Sequence, residues 1–273
     1  MSEPEKKRLA VIGHPVAHSR SPAMHNAALG AMGLDDEWIY EPPIDVAPER
    51  FEAQVREMAA GQFVGANVTI PHKEAALAIV ESASPEAQAI GAANTLTFRN
   101  GAIHADNTDT GGLLDALPEP PSGKRALVLG AGGAARAVVW ALIHAGVKVE
   151  VWNRTTPRAQ KLCAELGGTP VTQPEHAAAY DLIVNSTSVG LRGENQLAEL
   201  PLNAADLSPR QTIVDMVYGG SSELLTLASR IEAQFVSGIE LLVRQGARSL
   251  KIWTGSDAPL HVMRNAALEG LSG

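Results

Sequence analysis

One cysteine, few aromatic residues and no long apolar run set the first limits on this 273-residue chain. Cys163 cannot pair within the chain and has no spaced ligand partners, which excludes a disulfide scaffold and points to a packed thiol in a reducing cytoplasm. Four Trp, three Tyr and four Phe leave little with which to build a pterin-stacking pocket. Basic charge is also short, with 22 Lys+Arg against 30 Asp+Glu, a formal charge of −8, and no basic cluster, so no nucleic-acid partner is expected. No run approaches a membrane span, and the polar start Met1–Arg8 carries no secretion signal, so no membrane partner is expected either. Of eight histidines, His14, His18 and His25 come closest together, but Pro15 breaks any helix that could align the first two, and no metal site is expected. What the chain does have is 45% hydrophobic residues, enough over this length for two domains with cores of their own.

The periodicity alternates from the start. Strands are expected at Leu9–Gly13, Glu37–Glu41 and Phe63–Thr69, and helices at Pro22–Met32, Pro48–Ala60 and Pro71–Val80, the pattern of a mostly parallel sheet covered by helices. Thr95–Phe98 and Ala102–Ala105 read as a hairpin around Asn100-Gly101. A helix starts near Thr108–Asp109, and Pro118–Gly123 is the most linker-like segment. A second α/β run follows, with strands at Ala126–Leu129, Lys148–Trp152, Leu182–Asn185, Thr212–Asp215 and near Gln234–Val236. After Gly238 only helices remain, Ile239–Thr254 and Pro259–Leu268, and with no strand to feed they must pack on an existing surface.

The segment from Arg125 to Arg136 runs strand, glycine turn, helix. Gly130 permits the tight turn, Gly132 lets a pyrophosphate approach the backbone, and Ala135 lets the helix lie close on the sheet. Phosphate would rest on the amides and positive end of that helix. After the next strand an NAD site wants Asp or Glu, whereas this chain has Asn153-Arg154-Thr155, with Arg158 and Lys161 further on. A guanidinium matches a 2′-phosphate that a carboxylate would repel, so the cofactor read from these residues is NADP rather than NAD. The plainer alternative is a solvated, basic helix start.

Four polar motifs precede Gly123. In His18-Ser19-Arg20-Ser21-Pro22, Ser21 before a helix-starting proline is an ordinary N-cap, while Ser19 could join the cap amides in binding a carboxylate. In Asn67-Val-Thr69-Ile-Pro71-His72-Lys73, alternation puts Asn67 and Thr69 on one face. Pro71 begins a helix with Lys73 in its first turn, the wrong end for a cation. Either Lys73 is a tolerated surface lysine, or the dipole and partial desolvation tune its ammonium for acid–base work. Gly91–Thr95 is a buried strand start carrying Asn94. Asp106–Gly112 faintly echoes a calcium loop but has Thr at its third and fifth positions, and Thr108 or Asp109 reads as a helix cap. Parallel sheets bind ligands outside the carboxyl ends of their strands, so the four motifs should converge on one crevice fit for a small hydroxylated acid.

With these motifs in this order, from Leu9 to the C-terminal helices, the chain resembles the shikimate dehydrogenase family. The resemblance implies two α/β domains, a mostly parallel substrate-binding domain (1–105 plus 239–273) and a Rossmann-type NADP-binding domain (106–238), with a cleft between them. It implies Lys73 and Asp109 as the catalytic pair, and Ser19, Ser21, Asn67, Thr69, Asn94, Tyr218 and Gln245 as substrate contacts. The cofactor loop would be Gly130, Ala131, Gly132, Gly133 and Ala134, and the 2′-phosphate motif Asn153, Arg154 and Thr155 with Arg158 beyond. Asn185–Gly190, including Thr187, resembles the nicotinamide-side loop, and Met216 and Gly238 resemble further cofactor contacts. Leu191 and Leu241 stand where the family commonly has methionine, a change of small effect. His72 varies in the family.

The implied reaction is reversible hydride transfer between NADPH and the 3-keto group of 3-dehydroshikimate, giving shikimate. Lys73 would donate a proton or hydrogen bond to the carbonyl oxygen, and Asp109 would hold the lysine and share the proton, the two titrating as a unit. Ser19, Ser21 and Tyr218 would hold the carboxylate, and Asn67, Thr69, Asn94 and Gln245 the hydroxyls. Domain closure would exclude water. The expected form is a monomer or homodimer. The rival readings are a quinate or aminoshikimate dehydrogenase, a catalytically silent NADP-binding regulator and, least supported, a folate-linked dehydrogenase.

Overall fold

A computed structural model describes residues 5–190, 196–218 and 222–269, so Leu191 lies outside the described residues. The chain divides into two compact units, Met1–Gly112 with Leu242–Gly273, and Leu113–Leu241.

The first unit opens with β1 (Lys7–Gly13), α1 (Ser21–Ala31), β2 (Trp38–Tyr40), β3 (Ile44–Asp45), α2 (Phe51–Ala60) and β4 (Phe63–Val68). There follow α3 (Lys73–Ala78), β5 (Ser82–Ala83), α4 (Pro85–Ile90), β6 (Thr95–Arg99), β7 (Ala102–Asp106) and α5 (Asp109–Ala116). The strands form one sheet in the order β2-β1-β4-β6-β7-β5, with β3 also on β1. β1 pairs in parallel with β2, β3 and β4, whereas β4/β6 and β6/β7 are antiparallel. Leu9 to Ile12 are all buried, as a central strand covered on both faces requires. The hairpin between β6 and β7 turns through Asn100 and Gly101, both at positive φ (53° and 78°), the signature of a two-residue primed turn. The carboxyl ends of β1, β4 and β7 and the start of β6 therefore share one edge of the sheet.

The second unit contains β8 (Arg125–Leu129), α6 (Gly133–His144), β9 (Lys148–Trp152), α7 (Thr156–Leu166), β10 (Thr169–Val171) and β11 (Leu182–Asn185). It continues through α8 (Gln196–Glu199), β12 (Thr212–Asp215), α9 (Glu223–Arg230) and β13 (Gln234–Val236). All its described pairings are parallel, in the order β10-β9-β8-β11-β12-β13. Alternate residues of each strand supply separate cores on the two faces, Ala126, Val128 and Val184 on one, Leu127, Leu129 and Ile183 on the other. α10 (Gly238–Thr254) returns the chain to the first unit, where α11 (Leu260–Glu269) follows it. Arg20 fastens the start of α1 to α11, donating to the Ala266 and Ala267 carbonyls in its last turn, where a cation also complements the helix dipole. Among the described residues no helix is long and apolar enough to cross a membrane.

Several local expectations change. The helix expected over Pro71–Val80 runs only from Lys73 to Ala78. His72 N–H donates to the Thr69 carbonyl (2.9 Å), closing a turn that holds Pro71 inside it, so Lys73 itself opens the helix. Ser21 does not cap α1: the helix begins at Ser21, and it is the Ser19 hydroxyl that accepts the Ser21 amide (3.3 Å). Neither the Thr108 nor the Asp109 side chain caps α5. The Asn107 side chain accepts the Asp109 amide (3.0 Å), leaving the Asp109 carboxylate free for other partners. The short β3, β5 and β10 and helix α4 are additions to the elements expected from the sequence.

Candidate active site

The edge where β1, β4 and β7 end gathers most of the polar motifs of the first unit. Lys73 Nζ lies 2.7 Å from Asp109 Oδ2, both side chains largely buried at 12% and 7% exposed, so this is a desolvated, hydrogen-bonded ion pair. The second carboxylate oxygen, Asp109 Oδ1, accepts from Asn94 Nδ2 at 2.9 Å. Asn94 Nδ2 also lies 2.9 Å from Thr108 Oγ1 and 3.1 Å from Gln245 Oε1 on α10. Asn94 Oδ1 accepts the Thr108 amide (2.8 Å) and the Thr95 hydroxyl (3.0 Å). An amide N–H can only donate and a carboxylate only accept, so the orientation of Asn94 follows from its neighbours.

Asn67, next to last in β4, is buried beside this cluster. Its Oδ1 accepts the Tyr40 hydroxyl (2.8 Å), and its Nδ2 donates to Ser249 Oγ (3.0 Å) and, at 3.3 Å, to the Asn94 carbonyl. Thr69 is half-buried one residue beyond β4, its amide bonded to the Ile12 carbonyl (2.9 Å) at the end of β1. Ser19 and Ser21 lie at the start of α1. Among the described residues, no hydrogen bond joins Ser19, Ser21 or Thr69 directly to the Asn94 cluster. An indirect path exists: His25 Nδ1 bonds the Ser21 carbonyl (2.9 Å), and the His25 ring stacks on Tyr40 at 4.3 Å, whose hydroxyl holds Asn67. Burial pushes the His25 pKa down from 6.5 to about 4, keeping the ring neutral. His72 is also buried, its Nε2 bonding the Val46 carbonyl (2.7 Å), and burial lowers its pKa as well.

In the second unit, Gly130 adopts φ +114° as β8 leaves the sheet, and a Cβ there would come within 2.7 Å of Ser186 Oγ. Gly132 occupies the N-cap of α6, with nothing within 4 Å of where a Cβ would stand. α6 begins at Gly133, has no acidic residue in its first turn and keeps Ala135 fully buried against the sheet; Ala131 and Ala134 are half-buried. Open backbone amides at a helix start make an anion site, which fits a dinucleotide pyrophosphate. Asn153 donates to the Thr155 carbonyl (3.0 Å), holding the turn that presents Arg154, Thr155 and Arg158 to solvent. Among the described residues neither arginine has an ion-pair partner, which fits a free 2′-phosphate receptor.

Thr187 closes a turn on Asn185 Oδ1, its amide at 3.1 Å and its hydroxyl at 2.7 Å. Asn185 in turn donates to the buried Asp215 (2.9 Å). Met216 follows β12 with its amide on the Asn185 carbonyl (2.9 Å), and Tyr218 is half-buried two residues later. Gly238 packs so tightly on this segment that a Cβ would lie 2.7 Å from the Met216 carbonyl oxygen.

Hydrogen bonding thus joins Asn67, Lys73, Asn94, Asp109 and Gln245 into one cluster. Tyr40 and Ser249 carry no role in the sequence analysis, and Thr95 and Thr108, although inside the recognised motifs Gly91–Thr95 and Asp106–Gly112, have no site role there. Ser249 sits one helical turn beyond Gln245, a spacing that could have pointed to it.

Family models cover most of the chain. One described as the shikimate dehydrogenase substrate binding domain matches residues 11–96, one described as shikimate / quinate 5-dehydrogenase matches 116–214, and one described as the shikimate 5'-dehydrogenase C-terminal domain matches 238–268. A shikimate dehydrogenase (NADP(+)) of Methanopyrus kandleri is 42% identical, over 98% of this chain and 97% of the relative. One from Citrifermentans bemidjiense is 41% identical over 95% and 94%. The crystal structure of shikimate 5-dehydrogenase from Thermus thermophilus in complex with NADP(H) and shikimate has a TM-score of 0.86 and 42% identity, covering 96% of this chain and 98% of that one. Glycine loop, arginine motif, buried Lys–Asp pair and full-length likeness agree: the chain belongs to the NADP-linked shikimate dehydrogenase family of oxidoreductases.

Proposed function

We propose that this chain catalyses the reversible reduction of 3-dehydroshikimate to shikimate, and the observation that carries the reading is the buried Lys73–Asp109 pair at the carboxyl edge of the first sheet. NADPH, when bound, supplies the hydride for the carbonyl carbon. Lys73 hydrogen-bonds the carbonyl oxygen and provides its proton as the alcohol forms. Asp109 aims the ammonium through Oδ2, while Asn94 on Oδ1 keeps the carboxylate from turning. Ser19, Ser21 and Tyr218 hold the substrate carboxylate. Asn67, Thr69 and Gln245 hold the hydroxyls, while Asn94, its donors and acceptors taken up by Asp109, Thr108 and Thr95, supports them from behind. Gln245 can be spared for this, because Asn94 Nδ2 has two protons and three acceptors, and Gln245 Oε1 is the longest of the three.

Gly130, Ala131, Gly132, Gly133 and Ala134 receive the pyrophosphate, and Asn153, Arg154, Thr155 and Arg158 the 2′-phosphate. Thr187, Met216 and Gly238 flank the nicotinamide. One chain carries every assigned residue, so a monomer or a homodimer would each serve. The buried thiol of Cys163, pushed up to about 11 by burial, suits a cytoplasmic setting.

Because one matching family model spans quinate enzymes, quinate is the competing substrate. Following NADPH or NADH absorbance with shikimate or quinate, each with NADP+ or NAD+, separates the readings. The expected result is a kcat/KM at least about tenfold higher for shikimate with NADP+ than for any other pair. A quinate preference would replace the substrate, and a folded protein inert with all four pairs would leave only a cofactor-binding role.

A further inference from the structure

The fully buried hydroxyl of Ser249 on α10 is the junction of the polar cluster. Its Oγ lies 2.8 Å from Thr95 Oγ1, 3.0 Å from Asn67 Nδ2, 3.1 Å from Thr108 Oγ1 and 3.1 Å from the Gln245 carbonyl. A serine hydroxyl has one proton and two lone pairs, so it can satisfy three of these four contacts. Asn94 fixes which three. Its Nδ2 donates to Asp109 and to Thr108 Oγ1, and its Oδ1 already accepts the Thr108 amide and the Thr95 hydroxyl, so the Thr108 proton goes to Ser249 (3.1 Å) rather than to that oxygen at 3.2 Å. Its Oδ1 accepts the Thr95 proton, so Thr95 Oγ1 accepts from Ser249. Ser249 then donates to Thr95 and accepts from Thr108 and Asn67, which leaves only the 3.1 Å contact to the Gln245 carbonyl without a proton.

Asn67 depends on this arrangement more than Asn94 does. A hydroxyl such as that of Tyr40 can donate or accept, so it does not by itself tell the oxygen of Asn67 from its nitrogen. Without Ser249, Asn67 Nδ2 keeps only the 3.3 Å contact to the Asn94 carbonyl and a 3.5 Å contact to Thr95. We infer that Ser249 is a positioning residue: it sets the orientation of Asn67, and through Asn67 the hydroxyl-recognising side of the pocket, without touching substrate. The inference rests on the shikimate-binding role proposed above for Asn67.

A double-mutant cycle tests it, with Ser249→Ala, Asn67→Ala and the double variant assayed for shikimate oxidation with NADP+ and for shikimate binding by calorimetry. For Ser249→Ala, KM and Kd for shikimate should rise about five- to tenfold, with kcat within about threefold and KM for NADP+ unchanged, the split expected when ground-state binding alone is disturbed. The double variant should match Asn67→Ala alone, because Ser249 acts through Asn67. Ser249→Cys, which keeps a weak acceptor, should fall between wild type and Ser249→Ala, and it carries the test if the alanine variant does not fold. An unchanged shikimate KM in a folded Ser249 variant, or effects that multiply in the double variant, would overturn the positioning role while leaving the proposed reaction standing. A wild-type chain that neither binds nor oxidises shikimate would overturn both.

Discussion

Lys73 opens α3, where the positive end of the helix disfavours a cation, and the 2.7 Å contact to Asp109 offsets that penalty. The pair is held on the aspartate side by two separate fixtures. Asn107 takes the helix-capping duty, and Asn94 occupies the second carboxylate oxygen. Within the pair the ammonium, with one proton on Asp109, keeps donor capacity for a substrate oxygen. Lys73→Ala should lower kcat about 10²- to 10⁴-fold, the range of a lost acid–base group, while the shikimate KM stays within about threefold. Steady-state kinetics on a variant with an unaltered circular dichroism spectrum checks this, and a kcat loss under about tenfold would remove Lys73 from the chemistry. The types and order of these residues were legible in the sequence. That Asn107, rather than Thr108 or Asp109, caps the helix was not, because three adjacent capping residues compete and only packing chooses among them.

Among elements, α10 bears the most constraints. It starts at Gly238 against the 216–217 backbone and carries Gln245 and Ser249 on adjacent turns. A methyl at position 238 would stand 2.5 Å from the Val217 carbonyl oxygen and 2.7 Å from its carbonyl carbon, and backbone cannot swing away as a side chain can. Gly238→Ala should therefore cost about 1–3 kcal/mol in denaturant unfolding, the range for overpacking. It should also weaken NADP+ binding measured by fluorescence titration, since Met216 adjoins the same contact. Unchanged stability and affinity would mean that the helix start yields freely. The long helices and the Asn-Gly hairpin could be read from periodicity and turn chemistry. β3, β5 and β10, of two or three residues each, are too short to carry a period and exist only through their neighbours.

For the molecule as a whole, the buried His25 is one group through which pH acts on stability. The folded chain holds it neutral with a pKa of about 4, while the unfolded chain protonates it near 6.5. Between those values the unfolded state binds more protons, so the contribution of His25 is constant above about pH 6.5 and stability falls through it as pH drops toward 4. The loss from this one group is about 2 kcal/mol by pH 5. Urea unfolding of wild type and His25→Gln at pH 7.5 and pH 5 should show a correspondingly smaller acid loss in the variant. Equal losses would place the acid sensitivity elsewhere.

Features that depend only on neighbours along the chain are written in the order of its residues. The glycine turn into α6, the arginine motif after β9, the alternation of strands with helices and the polar motifs at strand ends all follow from local backbone preference and side-chain period. Which polar groups meet depends instead on how the chain folds back on itself. Asn67 finds the Tyr40 hydroxyl 27 residues away, and Thr95 finds Ser249 at a separation of 154. A hydrogen bond needs its donor and acceptor within about 3 Å, and only the packed sheet edge and the returning α10 bring them that close.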